Sequence, residues 1–395
     1  MQRDVIIIGA GPAGIGCAIA LQRAGVHCLT VVDRDRVGAS FRKWPPHMRF
    51  LTPSFYSNPF QLTDLNSVTP SSSPGDFLRR EHPAGDDYAA YLEALASHYQ
   101  LPVREGVEVD GLQRNHDGFV LQTSAGRWHA RFVIWAAGEF GRPWHGGIEG
   151  AEHALHNSAI HDYDQLPGAE HVVVGGYESG MDTMVMLAER GRVVHLFARG
   201  EPWKEDHADP SISLSPHTVG RVREVLARHR DRLRFNGHAD VRRIQTAGND
   251  CWRLQMADGS RFDSTTPPIL CTGFKPVLGP VDKLFECDDD GLPVVSEDAD
   301  ESTLTDGLFY SGPRLSHRGS RFCFVYKFRS RFGVIASAIA DRLGADWQQP
   351  MELYEKHGFL IRDPGCCVGC ECPAGQVEPE EESRETPAAN RRRSA

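Results

Sequence analysis

The first residues of the chain carry the feature that constrains the fold most, a glycine-rich turn between a strand and a helix. Residues 5–8 are all β-branched, which is typical of a buried strand in a parallel sheet. Residues 15–25 have helix-forming spacing and end on a glycine, a common residue just after a helix. Between them, Gly9, Gly11 and Gly14 give the spacing G-x-G-x-x-G. Together these segments predict the opening of a Rossmann-type unit.

A second apolar segment, residues 27–32, predicts the next strand, and Asp33 follows it, 19 residues after Gly14. In such units the first glycine permits the tight turn, the second lets a pyrophosphate approach the backbone, and the third lets the helix pack on the strand. The helix N-terminus then faces the phosphates. A carboxylate at the position of Asp33 accepts a hydrogen bond from a ribose hydroxyl. The sequence therefore predicts that this unit binds a dinucleotide.

The form of this turn, with Pro12 and Ala13 between its last two glycines, resembles the FAD half of flavoproteins that bind two dinucleotides. The resemblance continues in the Pro- and aromatic-rich segment 38–75, which we predict to be a long ordered loop. In the flavin-containing monooxygenase superfamily the corresponding loop lines the isoalloxazine. The residues that match that loop here are Trp44, Met48, Leu51 and Thr52.

Asn58 is the candidate catalytic residue. Residues 56–59 read Tyr-Ser-Asn-Pro and resemble the Ser/Thr-Asn-x-Pro stretch of the same superfamily. There the asparagine lies over the flavin and steadies the peroxyflavin. An asparagine before a proline is also a frequent turn-forming residue, so both interpretations stay open.

Two further segments resemble parts of the FAD site. Residues 107–109 correspond to a strand that supplies backbone contacts to adenine, here at Val109. Residues 132–138 predict a buried strand that ends in small residues, and they resemble the A-T-G signature that closes the first half of the site. Ala137 and Gly138 are therefore expected where the backbone comes near the cofactor.

The late part of the chain departs from the FAD pattern at one position. Residues 306–313 resemble the motif D-G-[IVL]-[FY]-x-x-G-D up to Gly312, but Pro313 replaces the acid that usually binds the ribityl chain. Residues 322–341 resemble the bacillithiol-disulfide reductase group of the superfamily. The cysteine that this group carries in its first glycine turn falls on Ala13 here, so that chemistry does not carry over.

Residues 139–170 lose apolar periodicity and predict a linker. The monooxygenase superfamily carries the motif F-x-G-x-x-x-H-x-x-x-[FYW] in this region. The residues that resemble its second half are His156, Asn157, Ser158 and Tyr163, although the tyrosine lies seven residues after the histidine and not four. The missing Phe and Gly weigh against the monooxygenase subgroup that bears the whole motif.

A second glycine-rich turn follows a run of valines and predicts the nicotinamide half. Gly175 and Gly180 take the first and third places, whereas Tyr177 stands where the second glycine is expected. A side chain there would crowd a pyrophosphate. Gly176 and Ser179 offer compensation, and Gly-Gly-x-x-Ser-Gly resembles a variant seen in the superfamily.

Residues 193–197 predict the strand after this turn, and Arg199 follows it where an acid would select NAD. An arginine suits a 2′-phosphate, so the pattern favours NADPH. A solvated surface charge is the alternative for Arg199, and a vestigial domain without cofactor is the alternative for the whole half.

Four cysteines crowd into the C-terminal segment. They are Cys366, Cys367, Cys370 and Cys372. The spacing C-C-x-x-C-x-C suits a zinc ion or an iron–sulfur cluster, and the C-x-x-C pair within it suits disulfide exchange. Cysteines in a mobile tail are the third interpretation. After residue 376 the sequence is rich in Glu and Pro and is expected to be disordered.

Composition and charge limit the kinds of partner that the chain is expected to bind. The 395-residue chain has a formal net charge of −10, which argues against nucleic acid as a partner. No run approaches the ~20 apolar residues that span a membrane. The chain enters its first strand with no room for a signal peptide, so we expect a reduced cytoplasmic protein. A small-molecule substrate is expected, and a homodimer is left open.

The predicted architecture is α/β with two interleaved Rossmann-type domains and a cysteine-rich C-terminal tail. The FAD domain comprises residues 1–145 and 275–345, the inserted NAD(P)H domain residues 165–270, and the tail residues 360–395. The expected function is NADPH-driven, monooxygenase-type oxidation of a small molecule through a peroxyflavin, with FAD as cofactor. One alternative is thiol–disulfide reduction through the tail cysteines. Another is an FAD-binding partner protein without enzymatic activity.

Overall fold

A computed structural model of the chain describes residues 1–57, 62–205, 212–248 and 250–363. The helices in these segments are α1 Pro12–Arg23, α2 Ala39–Arg42, α3 Pro74–Leu78, α4 Gly85–His98, α5 Glu178–Glu189, α6 Pro216–His229, α7 Val325–Phe328, α8 Phe332–Leu343 and α9 Gln348–Lys356. The strands of the first half are β1 Gln2–Ile8, β2 Leu29–Val32, β3 Val103–Arg104, β4 Val109–Asn115, β5 Gly118–Thr123, β6 Gly126–Trp135, β7 Leu155–His156, β8 Glu170–Val174 and β9 Val193–Phe197. The later strands are β10 Leu233–Asn236, β11 Val241–Thr246, β12 Trp252–Met256, β13 Arg261–Ser264, β14 Ile269–Leu270, β15 Glu286–Cys287, β16 Pro293–Val294, β17 Leu308–Tyr310, β18 Ser316–His317 and β19 Ser320–Arg321.

The first sheet has the order β3-β2-β1-β6-β5-β4, and β17 pairs with β6 as a seventh strand. Strand β1 is parallel to both β2 and β6, and its residues 5–8 are all buried, as the run of β-branched residues predicts. Strand β17 returns to this sheet after the chain has formed a second one. The first sheet is therefore built from two separate parts of the sequence.

Helix α1 packs on strands β1 and β2 of the first sheet, and α8 packs closely against α1. An ideal Cβ on Gly16 of α1 would lie 2.1 Å from the ring of Phe332 at the start of α8, so only glycine permits this approach. The residues of α1 from Ala13 to Leu21 are buried. This packing fixes the direction of the N-terminus of α1, where the first glycine turn lies.

The second sheet has the order β10-β9-β8-β14-β7, and all of its pairs are parallel. From β8 the chain proceeds through β9 and β10 on one side, whereas β14 and β7 lie on the other side. The order therefore reverses between β8 and β14, which is where a ligand crevice forms in such sheets. The antiparallel sheet β11-β12-β13 packs on this unit through a separate apolar core.

A buried ionic network ties the segments that follow β16 together. Arg331 is 1% exposed and donates from Nε and Nη2 to the carboxylate of Asp300 at 2.9–3.1 Å. The ring nitrogen Nε2 of His317 lies 2.7 Å from the same carboxylate. Arg331 also donates to the carbonyl of Ile361 at 2.6 Å, which fixes the end of the described chain against α8.

Several elements differ from the sequence-based predictions. The predicted loop 38–75 contains α2 and the start of α3, and the predicted linker 139–170 contains β7, a strand of the second sheet. The strongly charged residues 221–229 predict a helix with a solvated face, whereas the observed helix α6 begins five residues earlier, at Pro216. Helix α9 was not predicted, because Pro350 breaks the apolar pattern although its first-turn position tolerates a proline.

Within the described segments, the helices are all too short or too polar to cross a membrane. The same segments hold no group of three or more His, Cys, Asp or Glu side chains that could bind a metal ion.

Candidate functional site

The first glycine turn separates into two glycines that the protein itself requires and one that leaves open space. Gly9 has φ 107°, and an ideal Cβ there would lie 2.3 Å from the carbonyl oxygen of Ala136. An ideal Cβ on Gly14 would lie 1.8 Å from the carbonyl oxygen of Gly9. Gly11 has φ −83° and ψ −171°, and a Cβ there would meet no atom within 4 Å. The packing of the protein therefore does not explain Gly11, whereas a ligand at the N-terminus of α1 would.

Asp33 is fixed beside this turn by two backbone donors. Its Oδ2 accepts a hydrogen bond from the N–H of Ala10 at 2.8 Å, and its Oδ1 accepts one from the N–H of Asp35 at 2.8 Å. Burial raises the pKa of the Asp33 carboxyl, and these two hydrogen bonds oppose that shift. Asp33 and Val109 border the same cavity of about 310 Å³, next to Gly9. The geometry brings together the predicted ribose acceptor and the predicted adenine contact.

A second cavity, of about 340 Å³, extends from the first glycine turn toward the second sheet, and we call it the central cavity. It is lined by many of the residues that the sequence singled out, namely Gly9, Gly11, Pro12, Ala13, Asp33, Trp44, Met48, Leu51, Thr52, Ala137, Gly138 and Ser179. Its volume lies in the range of small-molecule sites. Gly312 is not among the lining residues. It has φ 134°, which favours glycine, and packs next to Ala13.

An aromatic cluster forms one wall of the central cavity. The ring of Phe41 lies 4.9 Å from that of Trp44 and 5.5 Å from that of Phe50, and Phe50 lies 4.3 Å from Tyr88 of α4. Tilted and offset ring pairs at these distances are favourable. The cluster anchors the segment that carries Trp44 and Met48, although much of this segment has no regular secondary structure.

The later part of the same segment is fixed by Asp64 and Arg329. The carboxylate of Asp64 accepts hydrogen bonds from the N–H groups of Asn66 at 2.9 Å and of Gly75 at 2.8 Å. The Arg329 guanidinium donates to the carbonyl of Asp64 and, at 3.1 Å, to that of Ser67. Burial lowers the pKa of Arg329 to about 10, so this cation is held by its hydrogen bonds inside the fold.

The second glycine turn repeats the geometry of the first. Gly175 has φ 115°, and an ideal Cβ there would lie 2.3 Å from the carbonyl oxygen of Cys271. An ideal Cβ on Gly180 would lie 1.8 Å from the carbonyl oxygen of Gly175. Tyr177 is the N-cap of α5 with φ −90° and ψ −166°, close to the angles of Gly11. The side chain of Tyr177 therefore begins at the position in the second turn that corresponds to the open space at Gly11 in the first turn.

Two further residues that the sequence singled out are Gly176, in the second glycine turn, and Arg199. An ideal Cβ on Gly176 would lie 2.7 Å from Cβ of Ala198 and 2.9 Å from the ring of Trp203, so close packing explains this glycine. Arg199 follows β9 and is exposed. Neither residue is among those that line the central cavity.

Acidic residues of α5 face the central cavity and are paired with residues of α6. The carboxylate of Glu178 accepts hydrogen bonds from the N–H of Ser215 at 2.5 Å and from the hydroxyl of Thr218. Burial raises the pKa of Glu178, and these hydrogen bonds oppose the shift. Asp182 is paired with Arg221, and Nε2 of His47 lies 3.6 Å from its other oxygen.

His47 lies on the loop after the first glycine unit, whereas Asp182 lies on α5, so their contact joins the two halves of the structure. The ring of His47 also packs edge-on against Tyr163 at 4.8 Å. Burial lowers the pKa of His47, whereas Asp182 raises it. A pair of histidines, His82 and His217, lies across the same junction with ring centroids 3.9 Å apart.

A half-buried ion pair lies where the late FAD motif departs from its pattern. Glu139 follows Gly138 at the end of β6 and lines the central cavity together with Pro313. Its carboxylate is paired with the guanidinium of Arg314, the residue after that proline. Burial raises the pKa of Glu139, and Arg314 opposes the shift. The acid that the motif lacks at residue 313 therefore has a carboxylate counterpart in the same cavity.

Asn157 also lines the central cavity, at the end of β7. It is 7% exposed, and its Oδ1 is buried without a hydrogen-bond partner among the described residues. The preceding residue, His156, contacts the carbonyl oxygen of Gly273 through Nε2 at 3.1 Å and the hydroxyl of Ser158 through Nδ1 at 2.8 Å. His156 thus fixes the turn that carries Asn157.

Sequence reasoning missed the contribution of several polar residues to the central cavity, among them Glu139, Asp182, His217 and Arg221. Helix α6 was expected to present a solvated face, yet its Arg221 reaches the central cavity. For Asp182, one signal could have pointed to this contribution, namely that the residue lies close in sequence to the second glycine turn. The candidate catalytic Asn58 and the candidate metal ligands Cys366, Cys367, Cys370 and Cys372 lie outside the described residues.

A comparison with family models identifies the relationship of the chain. The model described as "Pyridine nucleotide-disulphide oxidoreductase" matches residues 6–312, which is more than half of the chain. Among curated proteins, an uncharacterized CzcO-like oxidoreductase of Geobacillus kaustophilus is 28% identical over 200 residues. That match covers 49% of this chain and 53% of the relative, so the chain spans about half of the relative's length.

Solved structures give the fold over a longer span. Bacillithiol disulfide reductase Bdr from Staphylococcus aureus matches with a TM-score of 0.70 and 19% identity, over 87% of this chain and 99% of that one. A flavin-containing monooxygenase from Stenotrophomonas maltophilia matches with a TM-score of 0.67 and 18% identity, over the same shares of the two chains. At these identities the similarity shows a shared fold.

Proposed function

Since the chain belongs to the pyridine nucleotide-disulphide oxidoreductase family, we propose that it is an FAD-dependent oxidoreductase that uses NADPH. One observation carries the proposal. The central cavity is lined both by the first glycine turn, at Gly11, and by the first turns of α5, at Ser179 and Asp182. A flavin held at the first turn and a nicotinamide held at the second would therefore meet in one cavity.

The proposed domains follow from this arrangement. Residues 1–145 and 275–345 form the FAD domain, and residues 165–270 form the NAD(P)H domain. Strand β7 at Leu155–His156 joins the second sheet, so its parallel pairing with β14 supports an earlier start for the inserted domain.

The chain's own residues supply the binding of FAD. Asp33 accepts from a ribose hydroxyl, because its two oxygens are fixed by backbone donors and border the cavity beside Val109. The open space at Gly11 takes the pyrophosphate. The aromatic wall with Trp44 excludes water from the isoalloxazine. Glu139 takes the place of the acid that is absent at Pro313.

For the second dinucleotide we propose NADPH, held by Arg199 at its 2′-phosphate. Arg199 is exposed at the end of β9, beside the predicted adenosine half of the crevice. Bound FAD would supply a hydride acceptor for NADPH and a two-electron donor for an oxidant.

Oxygen is the oxidant that we propose, with monooxygenase-type oxidation of a small molecule and with Asn58 as the candidate catalytic residue. The supporting observation concerns thiols. Of the cysteines in the described segments, Cys323 is the one that lines the central cavity. A single thiol cannot form the dithiol pair that a disulfide relay requires. The solved monooxygenase with the same fold is consistent with this proposal.

Thiol–disulfide reduction is the second candidate, favoured by the match to 99% of the length of bacillithiol disulfide reductase. It would require Cys367 and Cys370 as the relay. For this segment, the competing proposal is that the four C-terminal cysteines bind zinc or an iron–sulfur cluster. For the whole protein, the third candidate is an FAD-binding partner protein without enzymatic activity.

Truncation after Asp363 separates these candidates. We expect the truncated protein to retain FAD and to consume oxygen with NADPH at the rate of the full chain. Loss of NADPH-dependent disulfide reduction in the truncated protein, with flavin reduction unimpaired, would instead assign the reaction to the tail. Cys366→Ser and Cys372→Ser are the matched variants, because a relay tolerates them and a four-sulfur metal site does not.

A further inference from the structure

Asn157 lines the central cavity and carries an unexplained buried acceptor. The residue is 7% exposed, and its buried Oδ1 has no hydrogen-bond partner in the described part of the chain. A buried polar atom without a partner is unfavourable, and such atoms are rare in folded proteins. Because Asn157 also lines the cavity, a rotation of its amide toward a hydrogen-bond donor bound there would remove the cost.

The position of Asn157 is fixed by its neighbours. Strand β7 pairs with β14 in parallel, with His156 opposite Leu270. A neutral His156 donates to the carbonyl of Gly273 through Nε2–H. Its Nδ1 is then left to accept a hydrogen bond from the hydroxyl of Ser158. Burial lowers the pKa of His156, which favours this neutral ring. The histidine is therefore a positioning residue for the turn that carries Asn157.

The topology of the second sheet assigns the side of the crevice on which Asn157 lies. The strand order reverses between β8 and β14, and a dinucleotide bound there places its pyrophosphate at the N-terminus of α5. Its two halves then lie on opposite sides of that point. Arg199 follows β9 on one side, whereas Asn157 follows β7 on the other. With the adenosine half at Arg199, the nicotinamide half lies beside Asn157.

The central cavity supports this direction. Its lining includes Asn157 after β7 and Phe274 after β14, together with Ser179 of α5 and with Gly138, which follows β6 of the first sheet. Arg199 is not among its lining residues. The side of the crevice that carries Asn157 is thus the side that opens toward the proposed flavin.

We propose that Oδ1 of Asn157 accepts a hydrogen bond from the carboxamide N–H of the nicotinamide and thereby fixes the orientation of that ring in the central cavity. The carboxamide is the group of the nicotinamide ring that donates hydrogen bonds, and Asn157 supplies a buried acceptor for it. This inference rests on the proposed use of NADPH. The inference assigns to Asn157 a role in specificity, because its acceptor distinguishes the carboxamide from other substituents on the same ring.

Equilibrium binding of two oxidised dinucleotides tests the proposal without catalysis. NADP⁺ carries the carboxamide, and its 3-acetylpyridine analogue carries a methyl ketone that cannot donate. We expect the wild-type protein with bound FAD to prefer NADP⁺ by roughly 5- to 100-fold in titration calorimetry, because the ketone leaves Asn157 unpaired. In Asn157→Ala this preference should fall below about twofold, and in Asn157→Asp, which keeps an acceptor, it should persist.

Arg199→Ala is the matched control, because it acts on the adenosine half. It should weaken both dinucleotides and leave their ratio unchanged. If Asn157→Ala does not fold, Asn157→Ser serves instead, since its shorter side chain moves the acceptor back while keeping a turn-forming residue. An equal preference in the wild-type protein and in the folded variant would overturn the role of Asn157 alone. No binding of either dinucleotide to the wild-type protein would overturn the proposed NADPH site, and this inference with it.

Discussion

The substitution Gly11→Ala separates the requirement of a ligand from the requirement of the fold. An added Cβ at this position meets no protein atom within 4 Å, and φ −83° with ψ −171° suits any residue. We therefore expect the free energy of unfolding of the FAD-free protein to change by less than about 0.5 kcal/mol. If the pyrophosphate occupies this space, the same methyl group intrudes on it.

The expected effect on FAD follows from the cost of overpacking. An extra methyl group in a well-packed contact costs about 1–3 kcal/mol, which corresponds to a loss of affinity of roughly 5- to 150-fold. The assay is a titration of the FAD-free protein with FAD, together with the flavin content of the protein as purified. Urea unfolding of the FAD-free form checks the stability.

Two other glycines provide controls for this substitution. An added Cβ on Gly14 would lie 1.8 Å from a backbone carbonyl, so Gly14→Ala should damage the fold itself. Gly220 lies on the exposed side of α6 with open space around it, so Gly220→Ala should keep FAD affinity and gain about 0.5–1 kcal/mol of stability. Tyr177 occupies the position equivalent to Gly11 in the second turn, and Tyr177→Gly should tighten NADPH binding. Unchanged FAD affinity in Gly11→Ala would refute the reasoning, and so would a loss of stability of the FAD-free protein.

Three further predictions concern other parts of the molecule. Arg199→Ala should weaken NADPH roughly 10- to 150-fold and leave NADH within about twofold, because it removes a charged partner of the 2′-phosphate; equal loss for both in binding titrations would show that Arg199 does not touch that group. Asp300→Asn should cost about 3–5 kcal/mol in urea unfolding, because it leaves the buried Arg331 without its carboxylate, whereas the exposed Asp298→Asn should stay within about 0.5 kcal/mol. Burial lowers the pKa of His171 from 6.5, so its contribution to stability is full above that value and is lost as the pH falls toward the lowered pKa. His171→Val should therefore reduce the fall in melting temperature between about pH 8 and about pH 5, and an undiminished fall would contradict the assignment.

The parts of the fold that could be predicted from sequence are those set by local patterns. The glycine spacing and the β-branched run before it specify the strand, turn and helix at the N-terminus, because each residue acts on its near neighbours in the chain. The same holds for β9, whose bounds Val193–Phe197 are as predicted. Helix α9 was missed because Pro350 hides its pattern, although Met351 and Tyr354 bury one of its faces.

The candidate site could be predicted only in part, because much of it forms between distant residues. Glu139 and Arg314 are 175 residues apart in the chain, and Asp182 and Arg221 are 39 apart. No local pattern joins such pairs. Asn157 could be noticed as part of a partial motif, but its unpaired oxygen is a property of the packed turn and not of the sequence.

The central claim is that a flavin and NADPH meet in the central cavity and that oxygen is the oxidant. Anaerobic stopped-flow mixing of the FAD-loaded full chain with NADPH, followed by mixing with oxygen, tests it most directly. We predict that the visible flavin absorbance is lost on mixing with NADPH, more slowly with NADH, and that it returns with oxygen in the full chain and in the truncation after Asp363 alike. Flavin that NADPH does not reduce, or reduced flavin that only a disulfide substrate reoxidises, would contradict the claim.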